Sequence, residues 1–212
     1  YAENPFAMPL GRKVAEEDIC EADVVIYVIS RISGEGKDRR KVKGDYYLSE
    51  REEEDLRYLA EMNKPVILIL NAGGPVELTD ILEQTDNIKG ILNISQLGQE
   101  GGDALADVLL GKEVPGGKLT TTWARRYEDY PASEEYGYLN GNLEKEKYKE
   151  GIYVGYRYFD SFDKKVMFPF GFGLSYTMFE MKCCSINMEE SKIRAEVQVT
   201  NTGNEYAGKE VV

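Results

Sequence analysis

One loop of the sequence combines the residue types and spacing that proton-transfer chemistry needs. It covers residues 30–39 and reads Ser-Arg-Ile-Ser-Gly-Glu-Gly-Lys-Asp-Arg, with Glu35 between two glycines. The loop follows the clearest strand pattern of the chain, and the next regular element is predicted to begin only at Ser49. A connection of that length without secondary structure is uncommon in a compact domain and is often functional. Glu35 is therefore our candidate catalytic acid.

From the residues alone, two interpretations of Glu35 stay open. It is either a catalytic acid or a solvent-exposed loop glutamate. Asp38 and Glu100 are the alternative carboxylates. Glu100 stands where a helix is predicted to begin, and there we expect it to fix its own turn.

The composition excludes several other kinds of chemistry. Histidine is absent, so this chain alone can build neither a Ser-His nor a Cys-His nucleophile, and zinc sites lose their best nitrogen ligand. The cysteines Cys20, Cys183 and Cys184 show neither a disulfide framework nor metal-ligand spacing. We interpret them as buried or incidental reduced thiols, which fits a reducing compartment. We expect no metal, no cofactor and a cytoplasmic location.

Charge and hydropathy narrow the choice of partners. The formal net charge of -12 argues against nucleic acid, because phosphate binding needs clustered Lys and Arg. No apolar run approaches the length of a membrane span, so we expect no membrane partner. A flavodoxin-like nucleotide binder is a further alternative and predicts phosphate contacts at residues 98–102. That turn precedes a predicted helix but lacks the Lys-Ser/Thr of a phosphate-binding loop.

Strand and helix patterns alternate along the first half of the chain. Apolar runs predict strands at residues 23–29, 65–70 and 88–94, of which the first is typical of a parallel strand covered on both faces. Helices are predicted at residues 12–22, 49–63, 76–82 and 103–110. This alternation predicts an α/β fold with an open, mainly parallel sheet sandwiched by helices.

Two details of this fold bear on the site. Ser49 and Glu52 form a capping-box pattern, and we interpret the acidic cluster at residues 50–55 as a solvated helix face. The Glu35 loop and residues 71–75 and 95–102 follow successive strands. They are therefore expected at the carboxyl edge of the sheet, where functional loops of such folds lie.

The last part of the chain has a different pattern. Residues 181–188 and 193–200 are predicted strands joined by a short turn, and two or three strands cannot close a sandwich. We predict two domains, an α/β domain at residues 1–177 and an incomplete all-β domain at residues 178–212, which is expected to be cut off within the domain.

Several motifs, taken in order, resemble glycoside hydrolase family 3. They are Ser-Gly-Glu-Gly with Asp-Arg at residues 33–39, Gly-Gln-Glu-Gly-Gly at 98–102, Pro-Gly-Gly-Lys-Leu at 115–119, and the aromatic-rich segments 150–159 and 168–177. Residues 197–212 resemble the first strands of the fibronectin type III-like module that accompanies the family's α/β sandwich. The resemblance covers nearly the whole chain.

The resemblance implies part of a retaining β-glycosidase, in most members a β-glucosidase and in some a β-xylosidase or a dual enzyme. The substrate would be a β-linked oligosaccharide or glycoside, cleaved at its terminal non-reducing sugar. The nucleophilic aspartate would lie on a (β/α)8 barrel segment of the same enzyme, which nothing here resembles. Homo-oligomerisation stays open. The alternative is a carbohydrate-binding or scaffold module without chemistry of its own.

Within this resemblance Glu35 corresponds to the general acid/base. Gly34 and Gly36 would let the loop reach across a domain interface. Asp38 and Arg39 are expected to pair and support the loop, and Arg31 is a further possible support.

Overall fold

The computed structural model of the chain describes residues 12–32, 39–136, 144–145 and 147–203. The chain divides into two compact units. One consists of Tyr1–Gly98 with Thr122–Phe168, and the other of Gln99–Thr121 with Pro169–Val212. The predicted domain limits, residues 1–177 and 178–212, stay a prediction.

The secondary structure follows the predicted alternation. In chain order the elements are α1 (Glu16–Ile19), β1 (Val25–Ser30), α2 (Glu50–Glu61), β2 (Val66–Asn71), α3 (Thr79–Gln84), β3 (Ile88–Asn93), α4 (Gly101–Leu109), β4 (Trp123–Ala124), a 3-10 turn (Tyr127–Asp129), α5 (Tyr156–Ser161), β5 (Val166–Phe168), β6 (Phe179–Glu189) and β7 (Lys192–Asn201). The α/β part is thus followed by β-strands, and the predicted fold class is confirmed.

A parallel sheet forms the centre of the first unit. Its strands lie in the order β1-β2-β3, and β1 pairs with β2 from Val25 opposite Val66 to Ser30 opposite Asn71. Ile29 and Leu68 are fully buried, as expected for β-branched and aliphatic side chains in a central sheet. The parallel direction brings all three carboxyl ends to one edge.

The prediction that β1 is covered on both faces is wrong. Tyr27 and Ile29 are buried, whereas Ile26 is 50% exposed and Val28 is 44% exposed. Successive side chains of a strand point to opposite faces. The Tyr27 face meets α2, where the Tyr27 hydroxyl donates to Asp55 Oδ2 over 3.1 Å. The opposite face of this edge strand is open.

Helix α2 begins with the predicted capping box. The Glu52 amide donates to Ser49 Oγ over 3.2 Å, and the Ser49 amide donates to Glu52 Oε2 over 2.7 Å. The solvated-face interpretation of its acidic cluster is wrong for Glu52 and Asp55, which are only 2% and 3% exposed. Residues three apart share one helix face, and that face meets Arg31 and Tyr27.

The second unit contains α4 and an antiparallel hairpin of β6 and β7. The helix ends at Leu109, and Gly111 follows with φ of +70°, the left-handed conformation that glycine adopts most easily. On one hairpin face the cross-strand pairs are apolar: Met181 with Val199, Cys183 with Val197, Ile186 with Ala195, and Met188 with Ile193. Their side chains are exposed, so this face lacks cover.

The cysteines and the membrane expectation also concern the described residues. Cys20, Cys183 and Cys184 are free thiols and all three are exposed, so they are not buried as one interpretation held. Among the described residues, no helix is both long and apolar enough to cross a membrane.

Candidate functional site

The structure describes the two ends of the Glu35 loop, which we call the first stem (residues 30–32) and the second stem (residues 39–40). Gly34, Glu35, Gly36 and Asp38 lie outside the described residues. The described chain ends at Ile32 on one side of this segment and resumes at Arg39 on the other. The stems therefore define the site, and each of them carries an arginine.

Arg31 occupies the first stem and is only 2% exposed. Its Nη1 and Nη2 donate to the two carboxylate oxygens of Glu52, each over 2.7 Å. Its remaining donors reach the main-chain oxygens of Ser30, Asp45 and Tyr47 at 2.8, 2.8 and 3.2 Å. All five N–H groups of the guanidinium thus have an acceptor, which is what a buried arginine requires.

Arg39 occupies the second stem and, like Arg31, is a predicted support residue that the structure describes. Its Nε donates to Asp45 Oδ1 over 2.8 Å, and its Nη2 donates to the main-chain oxygen of Asp45. Its Nη1 donates to the main-chain oxygen of Pro75 over 2.6 Å. The guanidinium carbon also lies 5.9 Å from the ring centre of Tyr46. Among the described residues the ion-pair partner of Arg39 is Asp45; a pairing with Asp38 stays a prediction.

Asp45 joins the two stems and was not found from the sequence. Its side chain is fully buried. Besides the contacts of Arg39, its Oδ2 accepts from the Arg40 amide over 2.6 Å. The only local signal was the pair Gly44-Asp45, which indicates a turn, and Gly44 does adopt φ of +78°. Nothing in a turn signal shows that the carboxylate is buried.

The three loops at the carboxyl edge of the sheet contact one another. Gln96 Nε2 donates to the main-chain oxygen of Arg31 over 3.3 Å. Arg39 reaches Pro75 in the loop after β2, and Asn71 Nδ2 lies 3.4 Å from Ser30 Oγ. Within the first unit, the described residues of these loops up to Gly98 therefore lie together.

A group of aromatic side chains packs beside Arg39 of the second stem. Tyr46 packs edge-to-face on Tyr47 and on Tyr127, with ring centres 5.6 and 5.0 Å apart. Burial, and next the neighbouring Tyr130, raises the pKa of Tyr46 above its ordinary value. Its phenol is therefore neutral near pH 7 and acts by packing.

Glu77 lies beside this aromatic group. It accepts a hydrogen bond from the Tyr127 amide over 2.8 Å, and Arg126 Nη1 is 3.4 Å from its other oxygen. Burial nevertheless raises the pKa of Glu77 above its ordinary value, because these two contacts offset the loss of water only in part.

We expect Glu77 to make the stability of the chain depend on pH. The pKa is higher in the fold than the ordinary 4.5, so the folded state binds this proton more tightly. The contribution of Glu77 is most favourable below pH 4.5 and declines as pH rises through the folded-state pKa. Glu77→Gln cannot titrate. Chemical denaturation from about pH 4 to about pH 7 should therefore show wild type losing stability relative to the variant; a constant difference would contradict the expectation.

The second unit offers weaker candidates. The side chain of Glu100, at the start of α4, accepts no capping hydrogen bond, so it does not fix its own turn as predicted. Its exposed carboxylate does not favour a phosphate at that helix end.

An open depression of about 340 Å³ in the second unit is lined by Leu109, Leu110, Gly111 and Tyr176, and this lining contains no carboxylate. Among the described residues no group of three or more Cys, Asp or Glu side chains is placed to hold a metal ion.

The comparisons with known proteins agree with the motif resemblance. Residues 10–156 match the family model described as the glycosyl hydrolase family 3 C-terminal domain. The chain is 38% identical over 231 residues to Beta-glucosidase A of Butyrivibrio fibrisolvens, covering 90% of this chain and 27% of that protein. A β-glucosidase of Kluyveromyces marxianus is 38% identical, with 84% of this chain and 20% of that protein covered.

Solved structures show the same relation. β-Glucosidase 3B from Thermotoga neapolitana in complex with glucose is 45% identical with a TM-score of 0.76, covering 85% of this chain and 26% of that one. A β-glucosidase from Paenibacillus barengoltzii is 34% identical with a TM-score of 0.84, covering 96% of this chain and 23% of that one. The present chain thus spans about a quarter of the length of the proteins it matches.

Proposed function

The chain belongs to the glycosyl hydrolase family 3 C-terminal domain family, and from this premise we propose that it is part of a retaining β-glycosidase that hydrolyses terminal β-linked sugars. β-Glucosidase is the favoured activity, with β-xylosidase or a dual activity as the variant. The observation that carries the proposal is the family match, which spans the loop of Glu35 and both of its arginine stems. Relatives named as β-glucosidases support the choice of sugar.

We propose that Glu35 is the general acid/base of this reaction. A retaining glycosidase places two carboxyl groups about 5 Å apart across the scissile bond. One attacks the anomeric carbon, while the other protonates the leaving oxygen and then takes a proton from the incoming water. Glu35 would be the second group, and burial in the complete site together with the negative nucleophile would raise its pKa toward neutral.

The nucleophile is proposed to come from another part of the same protein. The family resemblance implies an aspartate on a (β/α)8 barrel, which would also bind most of the sugar. The short share of each relative that this chain covers leaves room for such a segment. On this proposal the chain supplies proton transfer and the barrel supplies covalent catalysis.

We further propose that β6 and β7 begin a fibronectin type III-like sandwich. One face of the hairpin is apolar and the other is polar, with pairs such as Lys182 opposite Gln198 and Asn187 opposite Arg194. This alternation is typical of a sheet that packs on a second sheet. The exposed apolar face described above is the surface that the second sheet would cover.

The test of the function uses the full-length protein. We expect it to hydrolyse phenyl β-D-glucoside, with phenyl β-D-xyloside as the competing substrate and phenyl α-D-glucoside as the control. Proton NMR during the first turnovers should show the β-anomer of the released sugar, because two displacements retain configuration. First appearance of the α-anomer would contradict the mechanism. Full activity of the barrel segment without this chain would instead favour the scaffold alternative.

A further inference from the structure

Both stems of the Glu35 loop end on one main-chain oxygen. Arg31 Nε donates to the carbonyl oxygen of Asp45 over 2.8 Å, and Arg39 Nη2 donates to the same oxygen. A carbonyl oxygen has two lone pairs and can accept both. One residue before the loop, Arg31, and one residue after it, Arg39, are therefore hydrogen-bonded to the same acceptor.

The Asp45 carboxylate holds the returning stem a second time. Its Oδ1 accepts from Arg39 Nε over 2.8 Å and its Oδ2 accepts from the Arg40 amide over 2.6 Å. The carboxylate has no exposed surface, and the Arg39 side chain is 16% exposed. Charge-assisted bonds of this kind, away from water, are stronger and more directional than neutral ones.

The main-chain oxygen of Asp45 is connected to helix α2 through Arg31. Arg31 is fixed by the two oxygens of Glu52, which in turn accepts the Ser49 amide at the start of α2. Helix α2 belongs to the sheet unit, and its Leu56 and Leu59 side chains are almost fully buried. The position of Asp45 is thus tied to the scaffold through a chain of buried hydrogen bonds.

From this geometry we infer that Asp45 is a positioning residue for proton transfer by Glu35; the inference rests on the proposed function. The Asp45 carboxylate is fully buried and accepts hydrogen bonds from Arg39 and from the Arg40 amide, so it would act through the loop and not on the substrate directly. It fixes where the two stems stand relative to each other and so limits the positions that the intervening residues can reach. General acid catalysis needs the acid within hydrogen-bond reach of the leaving oxygen, so a small displacement is costly.

The experiment compares Asp45→Asn with Asp55→Asn in the full-length protein. Asp55 is an equally buried carboxylate of the same unit, and it accepts from Tyr27 and from the Val14 amide instead of a loop stem. The readout is kcat/KM for phenyl β-D-glucoside, whose leaving group needs protonation, against 2,4-dinitrophenyl β-D-glucoside, whose leaving group does not. A merely structural loss lowers both values by the same factor.

We expect Asp45→Asn to lower kcat/KM for the phenyl substrate by about 10-fold to 100-fold and for the dinitrophenyl substrate by less than about 3-fold. Asp55→Asn should lower both values equally. If Asp45→Asn does not fold, Arg39→Lys keeps the charge, loses the forked geometry and should give the same selective loss. Equal losses on both substrates for Asp45→Asn, or for Arg39→Lys in its place, overturn the inference.

Glu35→Ala, measured in parallel, distinguishes a failure of the Asp45 inference from a failure of the proposed role of Glu35. If Glu35→Ala shows selective loss and rescue by azide while Asp45→Asn does not show selective loss, the inference alone fails. If Glu35→Ala shows neither selective loss nor rescue, the proposed function of Glu35 fails and the inference falls with it.

Discussion

Replacing Glu35 with alanine in the full-length protein is expected to lower kcat/KM for phenyl β-D-glucoside by a factor on the order of 10² to 10⁴, the usual contribution of a positioned general acid. The same replacement should leave kcat/KM for 2,4-dinitrophenyl β-D-glucoside nearly unchanged, because that leaving group departs without a proton. Its kcat should still fall, because water attack on the glycosyl-enzyme loses its general base.

Azide provides the decisive measurement for Glu35→Ala. As a small anionic nucleophile it needs no general base, so it should restore kcat for the dinitrophenyl substrate and yield β-glucosyl azide. Glu100→Gln is the matched control, since Glu100 is the alternative carboxylate and is exposed. Normal leaving-group dependence in Glu35→Ala, or azide rescue in Glu100→Gln instead, would assign the proton transfer to another residue.

Replacing Arg31 with methionine is expected to destabilise the chain by about 3–5 kcal/mol, the usual cost of removing one partner of a buried ion pair. The Arg31 and Glu52 side chains are 1% and 3% exposed, and the variant leaves the Glu52 carboxylate buried beside the apolar methionine. It also removes a donor from the main-chain oxygens of Ser30, Asp45 and Tyr47. Denaturant unfolding measures the loss.

Two further variants test the cause of this destabilisation. Arg57→Met removes the exposed pair between Arg57 and Glu53 on the same helix and should cost less than about 1 kcal/mol. Arg31→Met/Glu52→Gln keeps the capping box but removes the buried charge, so it should be more stable than Arg31→Met alone. Equal stability of Arg31→Met and Arg57→Met would show that the buried pair does not hold the stem.

The strands of the sheet and the start of α2 were predictable because their signals are local, whereas α1 (Glu16–Ile19) is much shorter than the helix predicted at residues 12–22. Runs such as residues 65–70 contain the β-branched residues of buried strands. Ser49 and Glu52 carry the capping box within one turn. The cover of each β1 face was not predictable in this way, because it depends on elements that pack from elsewhere in the chain.

The candidate site was predicted in part. The family motif led to Glu35, whose catalytic role stays a proposal, and the Asp-Arg pair led to Arg39, which the structure shows on Asp45. The burial of Glu52 was missed because its partner Arg31 lies 21 residues earlier, in a loop. The helix dipole alone explains why acidic residues occur in the first turn of a helix. The sequence therefore offered no reason to expect a buried partner for Glu52.

The main-chain acceptors at the stems have an evolutionary consequence. Arg31, Arg39 and Gln96 each donate to a carbonyl oxygen of the backbone, on Asp45, Pro75 and Arg31 respectively. Every amino acid supplies that oxygen, so substitutions at an accepting position such as 75 preserve the acceptor as long as the backbone path is kept. Among homologous proteins, we therefore expect constraint on the residue type at the donor positions but not at the accepting positions. Covariation between two positions would not detect these side-chain to main-chain hydrogen bonds.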